Sequence, residues 1–238
     1  MDEKRFNELY NRAYSKSYRV FSDFLNLEEQ SILATTYLPC STYGGYDMSE
    51  RIVAGFGENI ENTDFPIKCL VISPVMQKFA DKLTHRDFLG ALMNLGIKRE
   101  MLGDIIINDN CGYLFCLDHI SEYIKNNLNR IKHTNVNVTE CDSLPANIIK
   151  APDPRELIIS SLRLDVLVSA VYKLSRNEAS KLFSTGKVFV NSKLIETTSY
   201  QIKENDIISV RDYGRFTFSQ QLRKTKKDRL VVEIVIFL

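Results

Sequence analysis

The chain has 238 residues, 44% hydrophobic and 26% charged, with five cysteines and a net charge of +1. Such proportions exclude a largely disordered chain. No stretch approaches the ~18 uncharged apolar residues of a membrane span, the charged start Met1-Asp-Glu-Lys-Arg5 is unlike a signal peptide, and an odd number of irregularly spaced cysteines gives no disulfide framework, which fits a cytoplasmic protein. The charge is unevenly spread. Residues 161–238 hold 14 Lys/Arg against 8 Asp/Glu, whereas residues 1–160 hold 17 against 22. A basic module therefore ends a mildly acidic body, either as a soluble charged surface or as the electrostatic footprint of a nucleic-acid binder.

Residues 1–64 predict a small, mostly helical unit. Phe6, Leu9, Tyr10, Ala13 and Tyr14 recur at the spacing of one helical face. Val20, Phe21, Phe24 and Leu25 begin a second apolar patch, and Leu27 to Thr36 reads as another helix. The paired glycines of Ser41-Thr-Tyr-Gly-Gly-Tyr-Asp47 predict a loop, and Arg51 to Phe56 a short strand.

Residues 65–142 have a clearer rhythm. Ile67 to Ser73 is strand-like. Thr84 and Asp87 form a capping-box pair ahead of a helix with Phe88, Ala91, Leu92 and Leu95 on its buried face, and Gly96 stops it. Two short strands, Asp104–Asn108 and Tyr113–Leu117, flank a turn at Asp109-Asn-Cys-Gly112. Ile120, Tyr123, Ile124, Leu128 and Ile131 mark a second helix, and Asn135–Glu140 alternates as a last strand. The order is βαββαβ, the ferredoxin-like plan. Pro145, Pro152 and Pro154 then mark residues 143–156 as a linker.

Residues 157–238 carry the strongest signal. Leu164, Leu167, Val168 and Val171 face one way on a helix that begins near Arg163. Ser175-Arg-Asn-Glu178 is a capping box opening a second helix, whose inner face is Ala179, Leu182 and Phe183 and whose stop is Gly186. Lys187–Asn191, Leu194-Ile195 and Asp206–Arg211 follow as strands, with Asn191-Ser192 as a tight turn. The fold class expected from the whole chain is thus α+β in three parts.

Helix, turn, capped helix and hairpin together resemble the RNA-binding domain of small-subunit ribosomal protein S-four. The matching residues are Arg163-Leu-Asp165, Leu174-Ser-Arg-x-Glu-Ala-x-Lys-Leu182, Gly186-x-Val-x-Val-Asn191 and Asp206-x-Ile-x-Val210, with Ser192 where that family often has glycine. The resemblance implies a surface for structured RNA at Arg163, Asp165, Ser175, Arg176, Lys181, Lys187, Asn191, Lys193, Arg211 and Arg215. A helix start favours a phosphate, and the cations can track an RNA backbone by shape and phosphate contact. Arg86, Lys98 and Arg99 on the middle domain are a candidate second RNA contact, or an ordinary solvated face.

Over most of its length the chain also resembles the bacterial YlmH family, through Tyr43-Gly-Gly-Tyr-x-x-Ser-Glu-Arg51 and the segment from Thr84 to Ile105. That resemblance implies a cytoplasmic protein that associates with the large ribosomal subunit, engages ribosomal and transfer RNA, and serves rescue of stalled translation; a monomer is expected. No catalysis, cofactor or metal is expected. Ala54-Gly-Phe-Gly57 lacks the third glycine of a dinucleotide loop, no P-loop occurs, and the histidines and cysteines lack zinc spacing. Two other readings stay open. One is an RNA-modifying enzyme of pseudouridine synthase or methyltransferase type with a cryptic N-terminal site. The other is a cell-division adaptor.

Overall fold

The Asp2 carboxylate accepts the Arg5 amide at 2.9 Å and so caps the first helix, α1 (Glu3–Lys16), which buries Phe6, Leu9 and Ala13. This is the opening element of a computed structural model that describes residues 1–47, 49–142, 144, 145, 148 and 153–237. Its contacts divide the chain into two compact units, residues 1–29 with 35–149, and residues 30–34 with 150–238.

After α1 come β1 (Val20–Leu25), α2 (Leu27–Thr36), β2 (Ser41–Tyr43) and β3 (Ile52–Phe56), with the strands ordered β1-β3-β2, all antiparallel. Asn26 and Glu29 exchange hydrogen bonds at the start of α2. The segment is a helical/mixed unit, in which β1 and β2 join the expected strand at Ile52–Phe56. Val20, Phe24 and Leu25 are buried because their strand pairs with β3, and Ser41–Tyr43, read as loop, is that strand's other neighbour.

The next elements are β4 (Ile67–Pro74), α3 (His85–Asn94), β5 (Leu102–Asn108), β6 (Cys111–Leu117), α4 (Asp118–Asn127), β7 (Arg130–Ile131) and β8 (Thr134–Cys141). The sheet order is β5-β6-β4-β8-β7, antiparallel throughout, consistent with the βαββαβ expectation plus one short added strand. Asp109 and Asn110 join β5 to β6 with φ of 45° and 65°, the left-handed pair of a two-residue hairpin turn. Thr84 caps α3 with Asp87 as expected. The second helix stops earlier than its apolar pattern suggests. Leu128 is its cap, and Ile131 is buried from strand β7.

Phe24 and Val53 belong to the same apolar cluster as Leu70, Ile72, Phe88, Leu92, Leu114 and Ile124. A boundary near residue 64 thus does not separate two cores. Gly45 shows why the glycine pair is there. Its φ is +102°, and a Cβ would fall 2.2 Å from the Phe115 ring, on which Tyr46 stacks at 5.1 Å.

The second unit holds β9 (Asp153–Ile159), α5 (Leu164–Tyr172), α6 (Arg176–Ser184), β10 (Val188–Val190), β11 (Lys193–Leu194), β12 (Asp206–Val210), β13 (Gly214–Lys224) and β14 (Leu230–Phe237). Where the sequence promised a small hairpin, there is a six-stranded antiparallel sheet, β11-β10-β12-β13-β14-β9. The expected linker lies partly outside the described residues, and from Asp153 onward it is strand. Pro154 is tolerated there because β9 is an edge strand, paired with β14 alone. Leu164, Leu167, Val168, Leu182 and Phe183 of the helix pair close over Ile208, Phe216, Phe218, Val232 and Ile234 of the sheet. Burying each such side chain contributes ~1.5–3 kcal/mol before the cost of ordering the chain.

Candidate RNA-binding surface

Ser175 Oγ accepts the Glu178 amide at 3.3 Å, and Glu178 returns a carboxylate oxygen to the Ser175 amide at 2.8 Å. The helix start is therefore partly self-satisfied, and Ser175 is committed to the cap. The bonds from Ser175 hold the Glu178 carboxyl below its ordinary value, so it is ionised at neutral pH. A phosphate approaching α6 then meets one fixed negative charge, which makes the neighbouring cation decisive. Arg176 occupies the first helical position, exposed, and has no ion-pair partner among the described residues. Ala179, Leu182 and Phe183, buried further along α6, anchor the helix.

Arg176 lines a cleft with Arg163, Asp165, Val166 and Ser169. Arg163 sits at the cap of α5, and its guanidinium grips Asp165 through two bonds of 3.0 and 2.8 Å. That grip raises the Arg163 pKa further and fixes the planar group in the wall. Asp165 thus acts by orienting Arg163. Lys181 is exposed further along α6.

The remaining candidates do not join this cleft as one patch. The registers Val188↔Val210 and Val210↔Gly214 put Lys187, Arg211 and Arg215 at one end of the sheet. Lys187 is paired with Asp212 at 2.6 Å, Arg211 lies over the Phe189 ring at 5.4 Å, and Arg215 donates to Ser209 Oγ at 3.2 Å. Asn191 and Ser192 form the two-residue turn between β10 and β11, with φ of 48° and 64°. Asn191 donates to Asp206 at 2.8 Å and accepts the Ile207 amide at 2.9 Å, so its amide holds the turn in place. Lys193 beside it is exposed.

In the first unit, Arg86 lines a cleft with Arg130 and Lys132, two cations the sequence reading passed over. Lys132 lies in the turn between β7 and β8, at φ 52°, and reaches Asp87 at 2.8 Å. Lys98 is exposed, 4.0 Å from Glu100. Arg99 turns inward, donating to the carbonyls of Leu102 at 2.6 Å and Gly103 at 3.1 Å. Burial, helped by nearby Arg51, lowers its pKa to about 10. Arg99 is thus held by backbone carbonyls through Nη1. Asp104 lies in strand β5, as expected. It accepts the Tyr46 hydroxyl at 2.9 Å and the amides of Glu50 and Arg51 at 2.6 and 3.1 Å. Phe115 is buried core.

A second overlooked feature is the segment 223–229, with five Lys/Arg in seven residues. It was readable as a charge run, but its position at a hairpin tip was not. Burial pushes the thiols of Cys69 and Cys116 up to about 12, which suppresses thiolate chemistry at neutral pH. Among the described residues no cluster of His, Cys, Asp and Glu could hold a metal ion, and no helix is long and apolar enough to cross a membrane.

Residues 61–144 match the family model described as "Putative RNA-binding domain in YlmH", and residues 162–208 match the S4 domain. Over 96% of its length the chain is 32% identical to the Ribosome-associated protein quality control protein P2 of Bacillus subtilis, covering 93% of that protein. A 65-residue stretch, 26% of the chain, is 42% identical to the small ribosomal subunit protein uS4A of Clostridium novyi and covers 30% of it. A solved structure, the cell division protein ylmH from Streptococcus pneumoniae, aligns with 58% of this chain and 87% of its own, at 27% identity and a TM-score of 0.47.

Proposed function

Because the chain belongs to the YlmH family, we propose that it is a non-enzymatic RNA-binding factor of the ribosome that serves quality control of stalled translation. Its S4 domain grips structured RNA by phosphate contact, with Arg176 and Arg163 as the leading cations of the α5–α6 cleft. The observation that carries the reading is Arg176, exposed and with no ion-pair partner among the described residues, at the capped start of α6 and inside the segment that matches the S4 domain. The full-length likeness to a relative named for ribosome-associated quality control supports the ribosome as the setting.

The finer reading has four parts. The RNA is large-subunit ribosomal RNA together with transfer RNA. The protein acts as a monomer. It works in the cytoplasm. It turns over neither RNA nor a methyl donor. Filter binding of the purified chain to ribosomal and transfer RNA, joined to mapping of modified nucleotides in a deletion strain, tests these parts. Saturable binding with an unchanged modification map is expected. A modification that vanishes on deletion and returns with purified protein would overturn the non-enzymatic part.

A further inference from the structure

β13 has 11 residues, yet its pairing with β12 ends at Phe218 opposite Asp206. From there to Lys224 the strand keeps β14 as its sole neighbour. Six residues at ~3.3 Å each carry the hairpin ~20 Å beyond the end of β12. Its tip is an ordered turn. Thr225 and Arg229 are bonded backbone to backbone at 2.7 Å, the Arg229 amide also donates to Thr225 Oγ1 at 3.0 Å, and the Asp228 amide donates to the Thr225 carbonyl at 2.9 Å.

This tip carries Arg223, Lys224, Lys226, Lys227 and Arg229. Two of the five are neutralised locally. Arg223 forks onto Glu156, and Lys224 reaches Asp228 at 3.2 Å. Lys226, Lys227 and Arg229 are exposed and have no ion-pair partner among the described residues. Three like charges held close on a fixed turn repel one another, which a polyanion would relieve.

Lysines on a free strand edge can also serve to block edge-to-edge pairing. That explains Arg223 and Lys224, which lie on β13. It does not explain Lys226, Lys227 and Arg229, which sit in the turn, past the last edge pair. Their position also has a geometric consequence. Leu230 pairs with Ile159, and Arg163 stands four residues beyond Ile159. The tip thus stands at the end of the sheet from which the chain enters the Arg163–Arg176 cleft, opposite the end that holds Lys187 and Arg211.

We infer that Lys226, Lys227 and Arg229 form a second RNA-backbone contact of the carboxy-terminal unit. It lies outside both segments that match RNA-binding family models, 61–144 and 162–208. The cleft and the tip would then grip separate phosphates of one RNA. The inference rests on the RNA-binding reading above and adds to it where the RNA is held.

The test uses the full chain and a labelled RNA stem-loop, with affinity measured against salt. Four proteins are compared: wild type, the triple variant Lys226→Gln, Lys227→Gln and Arg229→Gln, the single variant Arg176→Glu, and a control triple Lys4→Gln, Arg12→Gln and Lys16→Gln, which removes the same charge from exposed positions outside both matched segments. Each lost phosphate contact lowers the log–log salt slope by roughly 0.7–0.9, so the tip variant should lose about 2 and bind at least about tenfold more weakly at low salt. The control should keep the wild-type slope. A tip variant with the wild-type slope, beside an Arg176→Glu variant that loses binding, would overturn the tip contact and leave the RNA-binding reading standing. Equal losses in tip and control variants would reduce the tip to general charge and overturn it as well. Failure of the wild type to bind would overturn both.

Discussion

Ser175 and Glu178 hold each other across the first turn of α6, each accepting a backbone amide from the other. The turn is therefore rigid before any ligand arrives, and Arg176 projects from a fixed frame. Ser175→Ala should lower unfolding stability by about 1 kcal/mol through the lost cap. RNA affinity should change less than threefold, since the hydroxyl faces the helix and not the RNA. Urea unfolding and filter binding of the same preparation check both. A tenfold loss of affinity in a folded Ser175→Ala protein would place the hydroxyl in the interface.

Arg176→Glu reverses one exposed charge and leaves Ala179, Leu182 and Phe183 packed. Stability should stay within about 0.5 kcal/mol, as for other surface changes. RNA affinity should fall at least about tenfold, because a second carboxylate joins Glu178 beside the incoming phosphate. Thermal melting paired with binding to a stem-loop RNA separates the two effects. Unchanged affinity would move the contact to the hairpin lysines or to the first unit.

Gly45→Ala should destabilise the first unit by about 2–4 kcal/mol, combining a left-handed backbone with overlap on a buried ring. A Cβ at this position would lie 2.2 Å from Phe115, and the ring cannot withdraw, since Tyr46 stacks on it. Thermal unfolding followed by tyrosine fluorescence measures this, and an unchanged midpoint would contradict the packing.

Much of this was legible in the chain, wherever the signal was local. The capping boxes at Thr84–Asp87 and Ser175–Glu178, the helix at Leu27–Thr36 and the turn at Asn191-Ser192 depend on neighbours a few residues apart. What failed to show depended on distant partners. Val20–Leu25 is a strand because β3 lies beside it, and Asp153–Ile159 is one because β14 does, although prolines make it read as linker. The candidate site shows the same division. Arg176 could be placed from its cap. That Arg99 points at the carbonyls of Leu102 and Gly103, or that Asn191 is spent on Asp206 and Ile207, required the tertiary fold.

Asp87 provides a pH test. Lys132 and the hydroxyl and amide of Thr84 hold its carboxyl at about 2, below the ordinary 3.8. A depressed folded value means stability that is present above about 3.8 and lost as the pH falls toward about 2. Across that window the melting temperature of the wild type should fall faster than that of Asp87→Asn, which has no such proton to take up. Parallel curves would contradict the Lys132–Asp87 contact.

Ribosome association is read from a density gradient of the purified full chain with ribosomal subunits, run at low and at raised salt. The wild type should travel with the large subunit at low salt and be released as salt displaces its Lys/Arg–phosphate contacts, and Arg176→Glu should stay at the top of the gradient at both. A wild-type protein that remains at the top at low salt would contradict ribosome association.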